Sequence, residues 1–344
     1  MGLFGKIDGL KYYLEQRELS KEPNQFPDMD VNYTQTYKEI EDYMNKYIHL
    51  NVVAGAAAAG NGFLNDHGVK HIETVIARAT KLLENNIEEL TGYEIFILLL
   101  AIHFHDVGNV TGRDGHEEKI IDIVDKLPIM KKLDYPERKN IIAIAMAHGG
   151  YLDEGNKDTI SKLADEDHLN GVKIRPSLLA AILRFSDEIA DDKTRTSNEM
   201  VNIEAIPKEN LIYHLYSLSL QPPIIEGDTI KLEYIINYEN AVNKFKKDDG
   251  DIFLYDEILN RLRKCLCELE YCRRYSQGYI KVIALSVSIE ILDAKQKYVI
   301  DKSKFKLRLS GYPSIDAYDL TKLCIDGSLK HLDGEHLKEQ LEKK

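Results

Sequence analysis

Residues 91–110 read "TGYEIFILLLAIHFHDVGNV", and their reading decides how the rest of the chain is taken. Thr91, with Glu94 three residues on, has the spacing of a capping box, which satisfies the open N–H groups at a helix start. An apolar run from Ile95 to Ile102 follows, and it ends in His103, His105 and Asp106. Imidazoles and a carboxylate at the end of an apolar helix are costly to bury without partners. Either they are exposed, or something binds them.

Upstream, "FLNDHGVKHIETV" (63–75) places His67 and His71 one helical turn apart on one face, with Asp66 as the simplest N-cap. Six of the eleven histidines (67, 71, 103, 105, 116 and 148) fall within one stretch of the chain. His116 in "RDGHEEK" and His148 in "AMAHGG" fall at expected helix termini, where side chains can converge. Asp187 lies inside "AILRFSDEIADD", an apolar helical run in which a carboxylate needs a reason. His103 is only two residues from His105 and so points to another side of the helix, which suits packing or the support of a ligand from behind. Imidazole nitrogens with carboxylates form a donor set suited to Mn, Fe, Co, Ni or Zn, and less to Mg or Ca alone. A carboxylate between two such ions can bridge them, and an ion pair about 3.5–4 Å apart can clamp an in-line phosphoryl displacement.

The chain has two textures. From about 35 to 200 the apolar residues recur at three- and four-residue spacing, as in "YTQTYKEIEDYMNKYIHL" and "HIETVIARATKLLENNI", which predicts helices. Pro136 and Pro176 stand at two further helix starts. The small-residue stretch "AGAAAAGNG" (54–62) fits a close-packed turn or a lid. Beyond about 203, "LIYHLYSLSL" and "DTIKLEYIINY" read as strands joined by the turn-rich "QPPIIEG". A long helix over 251–275 follows, then strands in "YIKVIALSVSIEIL" and "KFKLRLSG". The expectation is an N-terminal extension (1–34), a helical bundle (35–202), a smaller α+β domain with an antiparallel sheet (203–312) and a tail (313–344).

With 344 residues, 44% hydrophobic and 30% charged, the chain has the composition of a globular protein with a sizeable core. Its net charge of -12 disfavours a nucleic-acid coat, which needs a dominant basic surface, but leaves room for a local basic pocket. Arg261, Arg263, Lys264, Arg273 and Arg274 are interspersed with Glu257, Glu268 and Glu270, the pattern of a salt-bridged solvated helix face. Cys265, Cys267, Cys272 and Cys324 have neither zinc-finger nor C-x-x-C spacing and read as free thiols. The uninterrupted apolar stretches are too short for a membrane span, and the N-terminus lacks the pattern of a signal peptide or a myristoylation site. These features lead us to expect a cytoplasmic protein with no membrane partner.

His71, then His105-Asp106, then Asp187 resembles the H…HD…D pattern of the HD superfamily of metal-dependent phosphohydrolases, with "HDVGN" similar to that family's H-D-I-G-K. His116 and His148 stand where binuclear members carry two further histidines, and "DHGVKHIETV" is similar to a stretch of the cyclic-nucleotide phosphodiesterases. The resemblance covers about residues 63–195. It implies an α-helical HD-type bundle with His71, His105, Asp106 and Asp187 as core ligands, Asp106 bridging, and His116 and His148 completing a second site. It implies two divalent transition metals (Mn, Fe, Co, Ni or Zn, with Mg admissible at one site) and water activated on them as the nucleophile. It casts His67 as general acid. Asn109 stands where Lys is common, which removes a phosphate contact, and no G-Y-P follows His148, so cyclic-di-GMP is not a favoured substrate.

Lys193, Arg195 and Arg113 are the candidate phosphate-holding residues, since a guanidinium meets phosphate bidentately. The leading expectation is a hydrolase of a nucleotide phosphoester, either a nucleoside triphosphate or a cyclic mono- or oligonucleotide. The alternatives are an HD-type nuclease on single-stranded DNA or RNA, a nucleotide-sensing module with a non-catalytic metal site, and a di-iron oxygenase. The α+β half could recognise substrate, bind an allosteric nucleotide or form a homo-oligomer, and its residues do not select among these.

Overall fold

The computed structural model describes residues 5, 9–52, 68–112, 115–152, 155–247, 250–309 and 319–343. Its helical part begins with α1 (Leu10–Ser20), α2 (Tyr33–Met44) and α3 (Val69–Leu83), followed by α4 (Gly92–Phe104). The side chain of Thr91 accepts from the backbone N–H of Glu94 and the Glu94 carboxylate accepts from that of Thr91, so the capping box forms as its spacing predicts. Every residue of α4 is buried. A helix that is apolar all round has no solvent face, so it takes the middle of the bundle. It packs against α1, α2 and α3, and against α6 (Tyr135–Met146) and α7 (Pro176–Glu188). With the turn after it, Gly92–Thr111 is long and apolar enough to cross a membrane, but 89% of its most apolar window is buried inside the chain.

Glu94 does a second task. Arg175 donates to both of its carboxylate oxygens at 2.8 Å, which fixes the start of α7 to the start of α4 by a bidentate pair. Between them lie α5 (His116–Val124) and a short antiparallel hairpin of β1 (Asp167–Leu169) and β2 (Val172–Ile174).

The described residues form two units, one within 5–52, 68–190 and 272–280, the other within 191–271 and 281–343. The second unit contains α8 (Asn198–Asn202), α9 (Lys208–Ser219), β3 (Ile224–Glu226) and β4 (Thr229–Asn237). After α10 (Tyr238–Val242) come a hairpin of β5 (Lys244–Lys247) and β6 (Gly250–Phe253) and the long α11 (Leu254–Tyr275). The remaining elements are β7 (Ala284–Leu292), β8 (Val299–Leu307), α12 (Leu320–Leu323), β9 (Cys324–Gly327) and α13 (Gly334–Glu342). Among the described residues the main sheet has the order β3-β4-β7-β8-β9. None of the four cysteines forms a disulfide.

Three expectations need correction. "LIYHLYSLSL" is not a strand but the body of α9, which starts after Pro207 and has Glu209 in its first turn. Its residues are buried on most sides (Asn210, Ile212 and His214 to Ser217), so polar positions no longer mark a solvent face and the apparent alternation misleads. The connector "QPPIIEG" supplies strand β3, paired to β4 through a two-residue turn at Gly227-Asp228 in which Gly227 takes a positive φ of 58°. The sheet is also mixed, because β4 and β7 run parallel while the other pairs are antiparallel. Parallel neighbours need a long crossover, and α11 lies within the connection from Asn237 to Ala284.

Candidate metal centre

Five helix ends carry the titratable side chains. His71 is in the first turn of α3, His105 is the C-cap of α4 with Asp106 next, and His116 opens α5. His148 stands two residues beyond the end of α6, and Asp187 is in the last turn of α7. Three of these are C-terminal ends, whose open carbonyls favour a cation.

The side chains meet closely. His71 Nε2 lies 3.1 Å from Asp187 Oδ1 and 3.4 Å from Asp106 Oδ2. His105 Nε2 lies 3.4 Å from Asp106 Oδ2, 3.6 Å from Asp187 Oδ1 and 3.4 Å from His71 Nε2. The other oxygen of Asp106, Oδ1, is 3.4 Å from His116 Nε2. The His148 ring stands 5.0 Å from that of His105 and 5.4 Å from that of His116, centroid to centroid. Two donor groups result, His71–His105–Asp106 and Asp106–His116–His148, and each could hold a metal ion. Asp106 belongs to both.

The donors fit a cation. His105 Nδ1 donates to the Ile102 carbonyl at 2.7 Å and His148 Nδ1 to the Ala145 carbonyl at 2.6 Å. A carbonyl only accepts, so each Nδ1 holds the hydrogen and each Nε2 is left to face the centre. Between His105 Nε2 and two carboxylates a positive charge is favoured, which a proton or a metal ion can supply. The electrostatics agree. Burial alone would lower the pKa of His105, yet the Asp106 and Asp187 carboxylates override it and raise the value well above that of a free imidazole. Burial would raise Asp187, yet His105 and His71 hold it well below the usual carboxylate range. His148 is pushed down to about 4 by burial and by His105 and His116, so it stays neutral, as a ligand must. Among the described donors, Asp187 and His116 are the open side, with side chains 29% and 15% exposed.

Glycine and asparagine of "HDVGN" acquire structural reasons. A Cβ on Gly108 would stand 1.8 Å from the backbone oxygen of His116, so only glycine lets the start of α5 approach the centre. Asn109 is buried and donates from Nδ2 to Asp106 Oδ1 at 2.9 Å.

His67 and Arg113, with Asp66 and the stretch 54–62, lie outside the described residues. Lys193 and Arg195 belong to the second unit. There Lys193 Nζ donates to Gln221 Oε1 at 2.5 Å and Arg195 Nη1 lies 4.0 Å from Asp191 Oδ1.

His103, expected to pack, is part of a buried polar chain that its sequence position does not reveal. Glu41 Oε1 accepts from Tyr37 O–H at 3.1 Å, Tyr37 oxygen pairs with His103 Nε2 at 3.1 Å, and His103 Nδ1 pairs with His49 Nε2 at 3.1 Å. Lys11 and Lys38 hold the Glu41 pKa down against the burial that would raise it, so it is an ionised acceptor. Its charge sets the direction of the whole row. Tyr37 gives its hydrogen to Glu41, His103 donates to Tyr37, and His49 donates to His103. His49 reaches this place through a π-turn, Asn45–His49, at the end of α2. After Tyr37, Ile40 and Met44 an α-helix would bury residue 47 or 48, but Tyr47 is 48% exposed and His49 is 1% exposed. The π-turn packs on the turn Val107–Thr111 just after Asp106.

In a scan of known families the HD-CE model matches residues 62–260. The chain belongs to the HD-CE family. All six donors fall within the matched segment, whereas the His49, Tyr37 and Glu41 of this HD-CE chain precede it. No curated protein and no solved structure matches the chain.

Proposed function

We propose that this HD-CE chain is a metal-dependent phosphohydrolase that binds two divalent transition metals and cleaves a phosphoester of a nucleotide. One observation carries the reading: Asp106 turns one oxygen to His71 and His105 and the other to His116, as a bridging carboxylate between two ions would. His71, His105, Asp106 and Asp187 would hold one ion, and Asp106, His116 and His148 the other. When bound, the ions would supply Lewis-acid stabilisation of charge on the phosphoryl group and acidify a water for in-line attack.

The chain's own residues supply the rest. The carbonyls of Ile102 and Ala145 fix the tautomers of His105 and His148, and Asn109 holds Asp106 in the bridging orientation. The open side at Asp187 and His116 is where a phosphate would enter. His67 is placed in this reading as general acid to the leaving oxygen, with Arg113 as a phosphate contact. A screen with Mn, Co, Ni or Mg against nucleoside triphosphates, cyclic mono- and dinucleotides and single-stranded DNA tests it. Turnover of a nucleotide that disappears in Asp106→Ala, together with loss of about two metal ions per chain, is the expected result. Cleavage of single-stranded DNA alone would make the chain a nuclease. Metal binding with no turnover of any substrate would make it a sensing module.

A further inference from the structure

We infer that Glu117 is a positioning residue for the second metal site, acting as the acceptor that orients His116; this rests on the two-ion reading above. His105 and His148 each have a backbone carbonyl on Nδ1, three residues back along a helix. His116 cannot use that device, because it is the first residue of α5 and no helical carbonyl precedes it. Its Nδ1 instead lies 3.3 Å from Glu117 Oε2, while its Nε2 faces Asp106. A carboxylate on the far nitrogen fixes the tautomer, aims the ring and raises its basicity as a ligand.

The surroundings are shaped for that carboxylate. Directly after His148 come Gly149 and Gly150, and Glu117 lies on both. A Cβ on Gly149 would meet Glu117 Oε1 at 2.6 Å, and one on Gly150, which has φ 72°, would meet the Glu117 side chain at 3.6 Å. Gly149 thus leaves a notch for the Glu117 carboxylate in the residue that follows His148. His105, in the first group, needs no such carboxylate because the Ile102 carbonyl serves it.

The test is a Mn2+ titration of the full chain, with the dissociation constants of the first and second ions as readout. Glu117→Ala should weaken the second ion by about 10–100-fold and leave the first unchanged. Glu117→Gln keeps an acceptor oxygen and should lose markedly less. Gly149→Ala leaves the carboxylate in the chain but drives it from the notch, and should weaken the second ion as Glu117→Ala does. Wild-type affinity for both ions in Glu117→Ala overturns the inference. So does a loss in Glu117→Gln equal to that in Glu117→Ala, which would make Glu117 a ligand. A wild-type chain that takes only one ion overturns the two-ion reading and this inference with it, so the two failures are read on different samples.

Discussion

Asn109 Nδ2 donates at 2.9 Å to Asp106 Oδ1, the same oxygen that lies 3.4 Å from His116 Nε2. The carboxylate shared by the two donor groups is therefore aimed by a neutral amide three residues along the chain. Asn109→Ala should weaken metal binding by about 10–100-fold, the usual effect of removing an outer hydrogen bond to a ligand. Calorimetric titration with Mn2+ would show it, and unchanged binding would mean that Asp106 is held by its other partners.

Gly108→Ala tests the approach of α5. The added Cβ would fall 1.8 Å from the His116 carbonyl oxygen, and backbone cannot yield as a side-chain tip can. A stability loss of about 1–3 kcal/mol is expected from such overpacking. The same change should displace His116 and thus lower metal stoichiometry towards one ion per chain, measured by elemental analysis. Retention of two ions at wild-type stability would show that α5 has room to retreat.

The row from Glu41 to His49 predicts acid sensitivity. Burial holds His49 down to about 2, with His103 and His105 adding to the effect, and burial with Lys11 holds His103 down to about 3. An unfolded chain protonates both near 6.5. Below that pH the unfolded chain binds more protons, so stability falls as pH falls, by up to about 1.4 kcal/mol per pH unit for each histidine. In urea unfolding at pH 6.5 and 4.5, His49→Gln should lose less stability on acidification than wild type. Equal losses would remove His49 from the cause.

His67 is tested by separating chemistry from binding. A general acid to the leaving oxygen contributes about 10²–10⁴ in rate. His67→Ala should lower kcat by that range with metal content and KM little changed, and a nitrophenyl ester, whose leaving group needs little protonation, should rescue it. His71→Ala should lose metal as well as activity, with no rescue. Equal metal loss in both would make His67 a ligand.

The helical half was legible because its signals are local. Thr91 and Glu94 announce a helix start, and His71, His105-Asp106, His116, His148 and Asp187 fall where helix ends are readable from apolar periodicity and prolines. The features that could not be read were long-range or lacked a polar face. Ser217 and Ser219 look like the outward positions of a strand, yet both are buried on α9. The parallel pairing of β4 with β7 depends on where the crossover returns, which neither strand encodes. Glu117 is legible only once His148 and its two glycines are known to lie beside it. His49 is hidden by the assumption of 3.6 residues per turn, which assigns its place to Tyr47 or Ile48.

The π-turn at His49 makes the end of α2 a matter of phase as well as of residue identity. Tyr47 is half exposed and lies in the turn that brings His49 inward. Excising it would remove no core side chain and would return the segment to α-helical phase, with His49 four residues after Met44. At that spacing a plain α-turn also faces His49 inward, towards His103. The surplus residue is thus the outward one, and removing Tyr47 should be milder than replacing His49.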